Sequence, residues 1–409
     1  MHRTLKHTVA AITMGLFCLS AAPTLAQDGD GFDRLRGLGG GGGGDGGNQQ
    51  QPRIPDNLPP LVAPDWVQPG VVITFRGGAS TEGAPPNPNR QPGDPVDHGS
   101  AALGYTIHEV VARTDTFIIL STLATMQEGV NDSRQLFAGG GISIITSNEI
   151  MGGATFFTDP GGLRQLEDGN GITVQRGPYN FNGQNIQAAM VTVRGNDFVN
   201  ESVYDAETGI RLTNRAASGP LRRGETQNEF NRRSKEHSEF VGIRRLEGPW
   251  RQAGWPDWAN QVRRVRYEGR MTYSAPDFEY HMPMSVNVTI DQRGSNWVRG
   301  TSEVTMRVEG QPEQKQQSPF AAATGTLSGY WLSPDLLRAM QSGIIDRDGP
   351  SGTIIRYERT GSHGVFTTET TGGSRLIARY RLQDGALESS RYELSHLGQT
   401  VELRLAGME

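Results

Sequence analysis

One stretch of this chain occurs twice, so the fold must be one that works as two similar units. Pro64-Asp65-Trp66-Val67-Gln68 leads into Val71-Val72-Ile73-Thr74-Phe75-Arg76-Gly77, and Pro256-Asp257-Trp258-Ala259-Asn260 leads into Arg263-Arg264-Val265-Arg266-Tyr267-Glu268-Gly269. The two align without a gap at an offset of 192, with Pro, Asp, Trp and Gly identical and Val67/Ala259, Gln68/Asn260, Ile73/Val265 and Phe75/Tyr267 similar. Further on, Ile107 to Ala124 aligns with Asn287 to Val304 at an offset of 180, which matches Val110 with Ile290, Arg113 with Arg293, Phe117 with Trp297 and Ser121 with Thr301. The 12 residues lost between these offsets are absorbed by a longer first-copy loop, Gly78 to Gly99, which holds five prolines.

The later elements repeat as well. Asp159-Pro160-Gly161-Gly162-Leu163-Arg164 corresponds to Ser333-Pro334-Asp335-Leu336-Leu337-Arg338. Each begins with a side chain able to cap a helix, followed by Pro, whose missing N–H costs nothing at the first helical position. Each copy then passes a Gly-rich turn (Asp168 to Gly171, Asp348 to Gly352) into a β-branched run and ends in a hairpin, Tyr204 to Leu212 or Tyr380 to Leu387, turning on Asp and Gly. A closing strand follows, Phe240 to Leu246 or Val401 to Leu405, reached in the first copy through an insertion at 215–235 that the second lacks.

Period-two alternation, as in Val286-Asn287-Val288-Thr289-Ile290, marks half-buried strands. The expected fold is therefore all-β and mainly antiparallel, with one short helix per domain. Two tandem duplicated curled-sheet domains of seven or eight strands each are expected, as a partly open barrel or a sandwich. The first copy spans 62–249, with its basic loop insertion, and the second 250–409. Gly, at 54 of 409 positions, argues against long helices and is at home in such turns.

Before the copies come two segments without a core. Residues 1–26 read as a signal peptide: a basic start with Arg3 and Lys6, an apolar stretch Val9 to Leu19, and a small-residue exit ending at Ala26. Residues 27–61 form a Gly/Pro/Gln-rich tether, with nine glycines between Gly37 and Gly47, too poor in apolar groups to offset the entropy of ordering. The chain is expected in the periplasm, outside the cell or at the cell surface after cleavage near Ala26, with no membrane-spanning segment in the mature part. Its single cysteine, Cys18, lies in the signal behind Phe17, so the mature chain has no thiol for a disulfide or a thiolate metal site.

Motifs of known chemistry are missing. No Gly-x-Ser-x-Gly elbow occurs, and His108-Glu109 has no second histidine four residues on. Asp346-Arg347-Asp348-Gly349 starts like a calcium loop but has Tyr357 where the bidentate Glu belongs, and Asp-Gly is ordinary turn chemistry. The glycine runs lack the Lys-Ser or Lys-Thr of a phosphate loop, and a net charge of −5 gives no nucleic-acid signature. No catalytic, cofactor-binding or metal-ligating residue is assigned.

Two features qualify as interface or ligand contacts. From Arg215 to Arg245, eight basic residues face four acidic ones, a local surplus of four positive charges, with Arg222, Arg223, Arg232 and Arg233 at its centre. Such a loop can steer an acidic partner or simply be a solvated hairpin. Trp250 and Trp255 stand at the junction of the copies without first-copy counterparts, and fit interdomain packing, a sugar platform or a protein contact. At the level of fold alone the expected architecture is similar to periplasmic carriers that hold lipid or lipoprotein chains in a half-open barrel, a likeness that transfers no function. The reading that follows is an exported non-enzymatic envelope or secreted β-repeat protein serving as a scaffold or docking module for another protein. The alternatives are a carrier of an apolar or glycan ligand in a barrel cleft, and a hydrolase with no recognisable motif.

Overall fold

The computed structural model describes residues 58–81, 100–130, 133–147, 156–169, 171–195, 198–218, 234–275, 278–307, 313–325, 330–371, 373–394 and 398–409. The expected signal, nearly all of the tether, and Arg222, Arg223, Arg232 and Arg233 lie outside the described residues.

The first copy forms one antiparallel sheet of β1 (Val71–Thr81), β2 (Ser100–Arg113), β3 (Phe117–Val130), β4 (Ser133–Thr146), β5 (Ile172–Phe181), β6 (Gln184–Arg194), β7 (Phe198–Asp205), β8 (Arg211–Ser218) and β9 (Ser234–Arg245). The second forms another of β10 (Arg264–Ala275), β11 (Phe278–Arg293), β12 (Trp297–Met306), β13 (Gln314–Ala323), β14 (Gly343–Arg347), β15 (Ile354–Thr360), β16 (His363–Glu369), β17 (Ser374–Arg381), β18 (Leu387–Leu394) and β19 (Gln399–Met408). Strand order is β4-β3-β2-β1-β9-β8-β7-β6-β5 in sheet 1 and β13-β12-β11-β10-β19-β18-β17-β16-β15-β14 in sheet 2. The topology is thus one and the same, with β14 added at the end of the second copy. Each sheet keeps two edges, so neither is a closed barrel.

Nine and ten strands replace the expected seven or eight. Part of the excess is the β5–β6 hairpin, turned by Asn182 (φ 50) and Gly183 (φ 80), a two-residue turn of the type whose twist matches the flanking strands. The insertion is also shorter than its expected bounds, because the ladder carries β8 through Ser218 and resumes β9 at Ser234. The prolines of the first-copy loop likewise begin only after β1 has run to Thr81.

Equivalent residues do equivalent work. The bulge between Thr74 and Phe75 on β1 recurs between Arg266 and Tyr267 on β10. The Trp66 indole donates to Thr208 O at 2.7 Å, and the Trp258 indole donates to Asp384 O at 2.7 Å. Each bond ties the segment before the first strand to the tip of the late hairpin. At that tip Gly209 (φ 73) and Gly385 (φ 76) sit so close to Thr158 O and Leu332 O that a Cβ would lie 2.0 and 1.8 Å from the oxygen. Arg113 donates to Pro64 O and Val67 O, and Arg293 to Ala259 O and Val262 O. The two short helices, α1 (Pro160–Gln165) and α2 (Pro334–Ala339), are capped by Asp159 and Ser333 as their sequences demand.

The outer edges are guarded. On β5 the outward-pointing N–H groups of Ile172 and Val174 are taken by Gly169 O and the Asp168 carboxylate. The register with β6 is unbroken, so Pro178 falls on the same outward set and has no N–H to offer. At the far end of sheet 2, β14 is only five residues long.

The sheets share their cores. Val72, Ile107 and Leu246 of the first copy pack in one cluster with Val265, Tyr267, Trp331 and Leu337 of the second. A second shared cluster joins Val111, Ala112, Phe117 and Ile119 to Ala321 and Ala323, with Trp297 against it. Phe117 and Trp297 meet edge to face, ring centroids 5.0 Å apart. Strand β4 lies along β13 and also against β17 and β18.

Candidate functional site

The chain between the copies makes a short turn of 3-10 helix, Pro249–Gln252, started by Pro249. It drives Trp250 into the shared core, where the side chain is 2% exposed. Gly248 lies under the indole, where no Cβ has room. Trp255 is half-buried and meets Trp331 edge to face at 5.9 Å, while Trp258 meets the same ring at 5.7 Å.

Beside this core runs a polar seam. From sheet 1, Thr74, Glu109 and Arg244 face Asp346 on β14 and Asp348 just beyond it. Arg244 grips Asp346 with two parallel bonds of 2.8 and 2.9 Å and reaches Asp348 at 3.3 Å. The Thr74 hydroxyl donates to Asp348 at 3.0 Å, and Asp348 also accepts from the Ser351 N–H at 3.0 Å. Burial raises the Asp348 carboxyl, but the Ser351 and Thr74 hydrogen bonds and the Arg244 charge outweigh it, and its pKa is lowered. The acidic turn that begins like a calcium loop therefore spends both carboxylates on the first copy. Glu109 has no such grip. Burial first, and the Asp346 charge second, raise its pKa to about 7 against the pull of Arg251 and Arg244.

A second polar group lies inside sheet 1. His108 on β2 is 4% exposed, stacked on Phe156 at 4.4 Å with Nδ1 3.0 Å from the Thr122 hydroxyl. Burial, then the neighbouring Arg211 charge, lower its pKa to about 3, so it is neutral. Arg211 on β8 is 5% exposed, with its guanidinium 5.5 Å from the centre of the Phe75 ring. Its Nε has no hydrogen-bond acceptor, and no carboxylate pairs with it among the described residues. Tyr204, its ladder partner on β7, stays protonated because burial raises its pKa.

The second copy shows what this place holds when it is not charged. Tyr204 pairs with Arg211 just as Tyr380 pairs with Leu387. The backbone N–H of Arg211 donates to Phe156 O as that of Leu387 donates to Tyr330 O. Ile73 lies opposite His108 as Val265 lies opposite Val288. Leu387, Val288 and Tyr267 thus stand in for Arg211, His108 and Phe75, and the Tyr267 hydroxyl is satisfied by Leu387 O at 3.0 Å. The sequence carried a signal for this: the offset of 180 sets His108 against Val288 inside an aligned strand. Among the described residues no three His, Cys, Asp or Glu side chains gather closely enough to hold a metal ion.

No family model matches the chain, and no curated protein matches it. Among solved structures, MucB in complex with MucA(peri) is 12% identical, over 81% of this chain and 88% of that one, with a TM-score of 0.18. The Pseudomonas aeruginosa MucA/MucB complex is 11% identical, over 83% and 89%, with a TM-score of 0.19. A DUF3598-family protein of unknown function from Nostoc punctiforme is 9% identical, over 83% and 97%, with a TM-score of 0.13. Likenesses this slight carry no argument about function. No helix among the described residues is long and apolar enough to cross a membrane.

Proposed function

We propose that this is an exported, non-enzymatic envelope protein that docks another protein, its two sheets acting as one rigid platform. Support comes from the seam, where Arg244, Asp346 and Asp348 and the shared core around Trp250 hold the copies in one arrangement. The copies run 62–249 and 250–409 in this reading, behind a cleaved signal and a tether that lets the platform stand away from its attachment. With the strand edges guarded, recognition falls to the basic loop. Arg222, Arg223, Arg232 and Arg233 meet an acidic protein surface, and charge sets the encounter rate and the choice of partner. Mild purification from the native host should recover a partner in fixed ratio, and reversing those four charges should abolish its recovery while the fold survives. A wild-type protein that is always recovered alone overturns the reading.

A second reading, a carrier of an apolar ligand, is favoured by one observation: Arg211 is buried in the core of sheet 1 with no acceptor for its Nε and no carboxylate beside it among the described residues.

A further inference from the structure

We infer that the core of sheet 1 is a binding site for a monoanionic amphiphile of the long-chain carboxylate class, with the carboxylate paired to Arg211 and the apolar body against Phe75, Phe156 and Phe240. This rests on the carrier reading rather than the docking one.

A guanidinium withdrawn from water needs a compensating anion or a full set of acceptors, and buried charges in folded proteins are paired. Arg211 has neither among the described residues, and its Nε lacks any acceptor. The fold does not require the charge, since Leu387 occupies the same ladder position in the second copy. Of the described titratable neighbours of Arg211, His108 is neutral and Tyr204 keeps its proton. Among the described residues the site therefore carries a single positive charge, which a carboxylate balances and a phosphate dianion would overshoot. A carboxylate also matches the planar fork of the guanidinium with two parallel hydrogen bonds.

The aromatic neighbours are apolar but touch one another: Phe75 lies 6.1 Å from Phe156 and 6.0 Å from Phe240, ring centre to ring centre, so an alkyl chain must part them to enter. Phe240 leads along β9 to Val241 and Ile243, which are 40% and 43% exposed, and Ile243 is registered opposite the buried Ile73. These exposed apolar side chains sit next to the half-buried Phe240, on the side of the cluster nearest to solvent. Few polar groups in an apolar lining is the usual make-up of a small-molecule site.

The test is a fluorescence titration of the purified full chain with cis-parinaric acid and, separately, with its uncharged methyl ester, at pH 7.5. The acid should bind saturably at one per chain, and Arg211→Leu should weaken it by at least about tenfold. The ester should bind more weakly and be indifferent to the substitution. Unliganded R211L should melt at a higher temperature than the wild type, since it copies the second-copy residue. If R211L fails to fold, Arg211→Gln, which removes the charge and keeps polar volume, takes its place in the same comparison. Equal binding of acid and ester, or undiminished acid binding by the folded variant, overturns the Arg211 site but leaves an apolar carrier. Failure of both probes to bind overturns both.

Discussion

Phe117 and Trp297 hold the same position in the two copies and touch each other, with their rings nearly perpendicular at 83°. A residue that meets its own counterpart marks a near-symmetric junction, the arrangement of a two-fold interface. Phe117→Ala should cost about 3 kcal/mol, as large aromatic truncations in a core do. Trp297→Ala should cost a comparable amount, and the double variant should fall short of the sum by about 1 kcal/mol because the ring contact is lost only once. Equilibrium denaturation of the four proteins measures this; strict additivity would mean that the rings are not coupled.

Three glycines with similar positive φ separate conformational strain from collision. Gly183 has open space where a Cβ would go, whereas Gly209 and Gly385 face a backbone oxygen. Gly183→Ala should cost about 1 kcal/mol, the ordinary penalty of left-handed backbone. Gly209→Ala and Gly385→Ala should each cost at least twice as much and weaken the neighbouring Trp66 and Trp258 hydrogen bonds. Melting temperatures and tryptophan emission report both effects, and equal losses at all three sites would refute the collision.

Glu109 makes stability depend on pH in a definite direction. Its carboxyl titrates near 7 in the folded chain against an ordinary value of 4.5. Below pH 4.5 both states hold the proton and nothing is lost. As pH rises from 4.5 to 7 the unfolded chain ionises first, so stability falls, and above 7 the loss is complete. Glu109→Gln should flatten this fall and leave the protein more stable at pH 8. His108 acts at the other limb: titrating near 3 rather than 6.5, it costs stability as pH drops below 6.5. Denaturation midpoints between pH 4 and 8 test both slopes.

Pro178→Val should restore an outward N–H on β5 and let edges pair. The variant is expected to show concentration-dependent association by light scattering, with little change in melting temperature. A variant that stays as monodisperse as the wild type would show that Pro178 does not guard the edge.

Much of the fold was legible because it was written twice. The matched Trp66 and Trp258, the capping Asp159 and Ser333, and the Asp-Gly hairpins are local signals confirmed by repetition. What escaped was unique to one copy. β14 has no first-copy counterpart, and its Asp346 finds Arg244 from 102 residues away, a pairing that no local pattern encodes. Nothing local in the sequence marks Arg211 out among the strand arginines; only its match to Leu387 and its burial set it apart. The place of Trp250 in the core fits interdomain packing, one of the roles its sequence allowed.

The two indole bonds also set a timetable. Trp66 closes on Thr208 after 142 intervening steps of chain, and Trp258 on Asp384 after 126. Neither copy can lock its beginning until its late hairpin exists, and pairings over such distances slow folding. A polypeptide built this way remains threadable while it is being made, so late closure favours passage through a narrow channel before the two units set.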